Sequence, residues 1–397
     1  MDREALVRRN RAMAEAFHAI PLKHQARRSL LRIASIVPTR PARLPSHERI
    51  LLIRPDHLGD VLLTTPAIRA LRAARPQAEL HALVGPWSAD VLAAYAEVDQ
   101  VLTLPFPGFS RTPKADWKSP YQLVLQAAGW LRRIGYSSAV ILRPDHWWGA
   151  LLAARAGIAE RIGYAHPDVT PFLTESIAPQ PEHAIQQNLR LVERWTGAIS
   201  PERVRYNFPV DPVDRAYIDG YLEEWGIHAD QRVVCIHPGT GTWVKHWTEE
   251  NWAKVADILA EQLDGRIVFS GGDREIPLAQ RIADQMKHTP VIMAGDTRVG
   301  QLAALFQRAK VVLGPDSGPL HLAAAVGAPT VALYGPADPV EFGPWGDPQR
   351  QITLTSDIGC RPCRILDWDS DDPAYHPCLR EITVGRVLEA ARRASRA

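Results

Sequence analysis

The sequence predicts an α/β protein made of two doubly wound parallel-sheet domains preceded by a basic helical arm, and three observations carry that expectation. Short apolar runs of strand length alternate with amphipathic helical patterns in two separate series, which is how βαβ units and a parallel sheet read. Loops rich in glycine, proline and hydroxyls follow several of those runs, where open α/β sheets place their ligand-binding residues. The chain has 397 residues, enough for two domains of about 100–200 residues each. The predicted boundaries are an arm over 1–45, a first Rossmann-like domain over 46–210 and a second over 211–397.

The elements follow in order. Residues 1–35 read as one or two helices, with Leu6, Met13, Phe17 and Ile20 near helical spacing and Arg3, Arg8, Arg9, Arg11, Lys23, Arg27, Arg28 and Arg32 around them. Prolines 38–45 close the arm. Arg49–Arg54 is an apolar run stopped by Pro55, and an amphipathic helix is expected over Val61–Ala74. The unit recurs as Leu80–Val84 with Ala89–Tyr95, Gln100–Leu104 with Tyr121–Arg133, and Ala139–Leu142 with Trp147–Ala156. Residues 196–230 are a mixed connection. The second series sets strands at Arg232–Ile236, Arg266–Ser270, Pro290–Met293, Lys310–Leu313 and Thr330–Tyr334. Helices are expected between them at Glu249–Leu263, Arg274–Met286, Gly300–Ala309 and Pro319–Val326.

Composition removes several function classes. The formal net charge is +2, but residues 1–45 hold ten Lys and Arg against three Asp and Glu, a charge of +7, so the other 352 residues carry −5. An acidic body has no excess charge to track a phosphate backbone, which excludes nucleic acid as the partner. Four cysteines cannot form a disulfide scaffold in a chain this long, and no secretory leader opens the sequence. No apolar run reaches the ~18–20 residues that span a bilayer. A cytoplasmic protein is expected, with any membrane contact peripheral.

Chemistry concentrates in the loops after the strands. Gly314-Pro-Asp316-Ser317-Gly318-Pro-Leu-His321 follows a buried strand. Pro319 suits the first helical turn and Ser317 or Gly318 its cap, leaving backbone N–H groups for an anion. Ser317 and His321, four residues apart, share a helix face. An ordinary capped helix with a buried histidine would read the same way. His237-Pro-Gly-Thr240-Gly-Thr242, running into Lys245, combines small hydroxyl residues with a mobile cation. Ser270-Gly-Gly-Asp273 is a third glycine turn, whose carboxylate either accepts from ribose hydroxyls or only shapes the turn. In the first domain His57-Leu-Gly-Asp60 lies between strand and helix, and Asp60 serves either as a general base or as an N-cap. Arg54-Pro-Asp-His57 and Arg143-Pro-Asp-His146 repeat one tetrapeptide after two strands, a shared ligand-facing turn or a coincidence.

Taken together, these residues resemble glycosyltransferase family 9, the lipopolysaccharide heptosyltransferases and their relatives. The resemblance rests on Gly59-Asp60-Val61 with Thr65-Pro66-Ala67, Arg161-Ile-Gly-Tyr164, His237-Pro-Gly, Lys245-His-Trp247 with Trp252, Gly271-Gly272-Asp273 and Asp316-Ser-Gly-Pro-Leu-His321. It covers roughly residues 49–390. It implies a GT-B fold, two domains facing across a cleft, a C-terminal helix packing back on the first domain, and inverting, metal-independent transfer from a nucleotide diphosphate sugar. ADP-heptose is the donor it favours, with a lipid-linked or surface glycan as acceptor. Carried over by motif, Asp60 is the general base. Lys245 is the cation at the donor phosphates, and Asp316, Ser317, Gly318 and His321 form the phosphate loop, partnered by Thr240 and Thr242. Asp273 meets the nucleoside. Arg54, His57, Arg143 and His146 stand on the acceptor side.

Two further features each leave two readings. Cys360, Cys363, His376 and Cys378 have ligand types suited to a structural zinc, and a cysteine pair or free thiols are the other reading. No cofactor is required for catalysis on the family's pattern. The basic arm suits an anionic membrane surface, or else packs on its own chain or a second copy. A nucleotide-sugar epimerase or hydrolase on the same fold, and a non-catalytic nucleotide-sugar-binding subunit, are the competing functions.

Overall fold

In the computed structural model, residues 2–19, 22–39, 41–42, 46–110, 118–366 and 372–396 are described. The chain forms two compact units: Ile20–Arg205, and Tyr206–Ala397 together with Met1–Ala19.

The Ile20–Arg205 unit holds β1 (Arg49–Arg54), β2 (Glu79–Val84), β3 (Gln100–Thr103), β4 (Ser138–Ile141), β5 (Glu160–Tyr164) and β6 (Glu175–Ile177). They order as β3-β2-β1-β4-β5-β6, every neighbouring pair parallel. The other unit repeats the plan with β7 (Arg232–Ile236), β8 (Gly265–Phe269), β9 (Val291–Ile292), β10 (Ala309–Pro315), β11 (Thr330–Tyr334) and β12 (Gln351–Thr355). Their order is β12-β11-β10-β7-β8-β9, again all parallel. Each sheet therefore reverses its direction of growth once, between β1 and β4 and between β7 and β10. Loops leaving the carboxyl ends of those strands line the crevice such sheets offer to ligands.

Helices cover both faces of each sheet, so inner strands are apolar at nearly every position rather than at alternate ones. Ile50, Leu51, Leu52 and Ile53 of β1 are all buried, and Leu51 and Ile53 pack with Leu83, Ala139 and Ile141. In the second unit Val234, Ile236, Phe269, Val311, Leu313 and Leu333 form the matching core. Trp247 and Trp252 belong to it, meeting edge to face at 4.8 Å, with Trp247 Nε1 donating to the Ile382 carbonyl at 3.0 Å. The C-terminal helix Val384–Ala394 buries Val387 and Ala391 in that same core.

The arm is two helices, α1 (Arg3–His18) and α2 (Leu22–Ile36), and each packs on a different unit. α1 buries Leu6 beside Ile358 and Cys378 and tethers itself through Arg3 to Glu381 at 2.9 Å and Arg11 to the Gly359 carbonyl. α2 buries Leu31 in the first core, while Arg27 and Arg28 both grip the buried carboxylate of Asp168. Against the desolvation that would raise it, these contacts lower the pKa of the Asp168 carboxyl.

Three details differ from the sequence reading. The helix expected over Val61–Ala74 is two, α3 (Leu58–Leu62) and α4 (Thr65–Ala74). Pro66 lacks an N–H, and the Thr64 and Thr65 hydroxyls take the Val61 and Leu62 carbonyls at 2.6 and 2.8 Å, ending the first helix. The mixed stretch before β7 contains the helix Pro212–Glu224, started by Asp211 accepting from Val213 N at 2.8 Å. Strands β5, β6 and β12 extend the sheets beyond the runs that apolar patterning marks; β6 has three residues, none fully buried.

Candidate active site

In the Tyr206–Ala397 unit, β7 and β10 run side by side, and His237 N donates to the Leu313 carbonyl at 2.8 Å. A Cβ on Gly314 would stand 2.6 Å from the His237 carbonyl oxygen, so only glycine lets these strand ends meet. β10 delivers Asp316 to the crevice, and Ser317, in extended conformation, caps the helix Gly318–Ala325 with Pro319 in its first turn. The Ser317 hydroxyl is buried and has no hydrogen-bond partner among the described residues. Lys245 Nζ lies 2.5 Å from Asp316 Oδ2, both side chains largely buried, so the cation is fixed at the mouth of the loop. His321 is buried one turn into the helix, its carbonyl accepting from Tyr206 at 3.0 Å. Four residues expected at the donor phosphates, Lys245, Asp316, Ser317 and Gly318, thus gather at one strand-to-helix junction.

The remaining expected donor residues are arranged less directly. Thr242 gives its hydroxyl to the Leu366 carbonyl at 2.6 Å, and Thr240 is half-buried on the same loop. Asp273 is exposed, opening the short turn Asp273–Glu275. The carboxylate that faces inward is Glu275, which the sequence reading passed over. Glu275 Oε2 accepts from Gly272 N at 2.7 Å and lies 3.8 Å from His237 Nε2. A Cβ on Gly239 would fall 1.8 Å from Glu275 Oε1, so the glycine is what admits this side chain between the loops after β7 and β8. The usable signal is a glutamate three residues after Gly272, the spacing at which its carboxylate reaches back to that residue's N–H. His237 is buried against the Ser270 hydroxyl at 3.2 Å, and burial holds its ring neutral.

In the Ile20–Arg205 unit, Asp60 sits on α3 with its side chain 39% exposed, and Arg54 NH2 reaches its Oδ1 at 3.1 Å. Arg54 and Arg143 come together on a residue the sequence reading did not single out, Asp56, whose side chain is only 5% exposed. His57 is exposed beside Trp87, ring centroids 5.3 Å apart. His146 goes elsewhere. It is buried among Phe106, Phe109 and Trp148, and desolvation pushes its pKa down to about 3. Its imidazole packs on those rings, and neither ring nitrogen has a hydrogen-bond partner among the described residues.

Cys360, Cys363, His376 and Cys378 surround a cavity of about 10 Å³ under α1, which Asn10 closes by donating to the Tyr375 carbonyl at 2.8 Å. All four cysteines of the chain are free thiols. Burial pushes Cys378 up to about 12 and raises Cys363. The His376 ring meets Trp243 edge-on at 5.5 Å. Among the described residues no three His, Cys, Asp or Glu side chains are arranged to hold a metal ion. Part of the excursion expected to fold back between Cys363 and His376, residues 367–371, lies outside the described residues. Cys235 is a buried strand thiol 3.7 Å from Ser270 Oγ.

The loops, their order along the chain and the two repeated sheets can be set beside known proteins. Residues 128–366 match the family model described as glycosyltransferase family 9 (heptosyltransferase). The chain belongs to glycosyltransferase family 9. This family 9 enzyme is 28% identical to lipopolysaccharide heptosyltransferase 3 of Escherichia coli strain K12, across 72% of its own length and 82% of that protein's. Its fold resembles that of a family 9 glycosyltransferase from Veillonella parvula, at 23% identity and a TM-score of 0.74, covering 89% of this chain and 99% of that one. It also resembles an E. coli heptosyltransferase solved with ADP-2-deoxy-2-fluoro heptose, at 21% identity and a TM-score of 0.63 over 86% and 98%. The two α/β units are those of the GT-B fold, and the protein is a glycosyltransferase.

Proposed function

We propose that this glycosyltransferase moves a heptose from ADP-heptose onto a lipopolysaccharide or other cell-surface glycan acceptor, with inversion and without a metal. The observation that carries the reading is the junction after β10: Lys245 held against Asp316, beside the buried Ser317 hydroxyl and the start of an eight-residue helix. A cation, a buried hydroxyl and the positive end of a helix together suit a diphosphate, and they stabilise the negative charge that builds on it as it leaves. Asp60 is the base in this reading. It takes the proton of an acceptor hydroxyl as that oxygen attacks the anomeric carbon, and the carbon–diphosphate bond breaks on the opposite face. Glu275 and Asp273 are the carboxylates offered to the nucleoside. Similarity to a heptosyltransferase solved with an ADP-heptose analogue supports the choice of donor.

The test is a thermal-shift screen across ADP, UDP, GDP and their sugars, since a ligand that binds the native state raises Tm by mass action. Selective stabilisation by ADP and ADP-heptose is expected, and selection of UDP or GDP would redirect the donor. ADP-heptose incubated without acceptor should stay intact; rapid epimerisation or stoichiometric hydrolysis would favour the epimerase or hydrolase reading instead.

The same reading places the enzyme in the cytoplasm at an anionic membrane face. Among the described residues no helix is long and apolar enough to cross a membrane. The outward face of α2 exposes Leu30, Ile33 and Ile36 beside Arg32, with Val37 exposed just past its end, while its inward face is docked through Leu31, Arg27 and Arg28. An apolar stripe flanked by a cation suits the headgroup boundary. Co-sedimentation with phosphatidylglycerol vesicles should fall when Leu30 and Ile33 are changed to Asp. Equal binding by the variant would remove α2 as the contact.

A further inference from the structure

The tetrapeptide Arg-Pro-Asp-His occurs at 54–57 and again at 143–146, and the fold puts the two turns side by side. β1 and β4, the strands they follow, pair in parallel with Ile53 opposite Ile141. The copies are used differently: His57 is exposed and His146 caged, yet both arginines close on the aspartate of the first copy. Arg54 Nε lies 2.6 Å from Asp56 Oδ2, an ion pair not aligned as a hydrogen bond, and Arg143 NH1 bonds Asp56 Oδ1. The Asp56 carbonyl accepts from Trp87 Nε1 and the Ser88 hydroxyl, both at 2.9 Å, so backbone and side chain are fixed together.

The Arg54 guanidinium is divided three ways. NH1 donates to the Leu142 carbonyl at 2.6 Å, Nε faces Asp56, and NH2 reaches Asp60 Oδ1 at 3.1 Å. Nε and NH2 form the edge with which an arginine grips a single carboxylate bidentately. Here two carboxylates share it. A cation closing fully on Asp60 would favour its ionised form and weaken it as a proton acceptor.

We propose that Asp56 is a positioning residue for sugar transfer: by holding Nε of Arg54, braced by Arg143 from the second tetrapeptide, it keeps Arg54 from clamping Asp60. The proposal rests on Asp60 being the base. It carries a signature that a merely structural role lacks, because the harm done by losing Asp56 passes through Arg54. Removing Arg54 as well relieves it.

The experiment compares Asp56→Asn, Asp56→Asn/Arg54→Gln and Asp60→Asn with wild type, measuring kcat and KM with ADP-heptose and heptose-deficient lipopolysaccharide, and ADP affinity separately. Asp56→Asn is expected to lower kcat about a hundredfold, within the range of a misplaced general base, with ADP affinity unchanged. The double variant should return to within about tenfold of wild type. A double variant as slow as Asp56→Asn, or Asp56→Asn within about threefold of wild type, overturns the proposal. The double variant removes Arg54 and Asp56 together and leaves Arg143 paired with Asp145 at 2.6 Å, so its own rate decides the matter if the unopposed Arg54 of Asp56→Asn unfolds the loop. Asp60→Asn separates the two claims. If it is inactive and the double variant fails to recover, only the role of Asp56 falls; if it turns over like wild type, the base falls and Asp56 with it.

Discussion

Replacing Lys245 with Met tests whether the cation at the donor loop has a ligand role separable from its part in stability. Lys245 Nζ and Asp316 Oδ2 are 2.5 Å apart, with side chains 13% and 8% exposed. At an effective dielectric near 20 their gross attraction is about 7 kcal/mol, most of it offset by stripping water from both charges. Methionine keeps the stem's length and removes the charge, leaving the Asp316 carboxylate buried without its partner. Breaking one side of such a pair costs about 3–5 kcal/mol. Lys245→Met/Asp316→Asn removes the orphan and should regain most of that loss. ADP affinity should behave differently, falling roughly 10–100-fold in both variants, because a charged contact to the diphosphate is lost either way. Urea unfolding supplies the first quantity and titration calorimetry the second. A Lys245→Met cost below about 1 kcal/mol, a second substitution that restores no stability, or wild-type ADP binding in both variants would show that Lys245 is not the buried donor-site cation.

Two further outcomes follow from the geometry. His146 has an ordinary pKa near 6.5 when unfolded and about 3 when caged, so below pH 6.5 the unfolded chain takes up a proton that the native chain refuses. Stability drains as pH falls through that window, by about 2 kcal/mol between pH 6.5 and 5 from this group. His146→Phe should flatten that part of a urea-unfolding pH series, and parallel slopes in the two proteins would contradict the cage. Gly239→Ala drives a Cβ into Glu275 Oε1. ADP affinity is expected to drop roughly tenfold, as for one lost hydrogen-bonded contact, with the fold intact, and unchanged affinity would take Glu275 out of the nucleoside site.

Much of the fold was legible because buried parallel strands leave a plain trace. Ile50–Ile53, Val233–Ile236 and Val311–Leu313 are apolar runs bounded by arginine, lysine, histidine or glycine, and each is an inner strand. The strands that were missed, β5, β6 and β12, sit toward or at sheet edges, where only part of each strand is buried and the run dissolves into alternation or polarity. The donor junction was legible for a related reason: a glycine, a hydroxyl and a proline in fixed order dictate a strand-to-helix turn whatever surrounds it. Asp56 and Glu275 were not. Their importance comes from what converges on them, Arg54 and Arg143 in one case and the close-set Gly239 and Gly272 loops in the other. Convergence across 87 residues has no local signature. The arm's charge left a membrane surface and packing on its own chain both open for the same reason, and Arg3, Arg11, Arg27 and Arg28 hold the two helices on their units.

Base-assisted sugar transfer by Asp60 requires that Asp60→Asn lose turnover while keeping its nucleotide. With ADP-heptose and heptose-deficient lipopolysaccharide, kcat is expected to fall about a thousandfold or more, in the range spanned by lost general bases. The Kd for ADP should stay within about twofold of wild type, since the donor residues lie on the other unit. Wild-type turnover in Asp60→Asn, or a loss of activity matched by an equal loss of ADP binding, would contradict it.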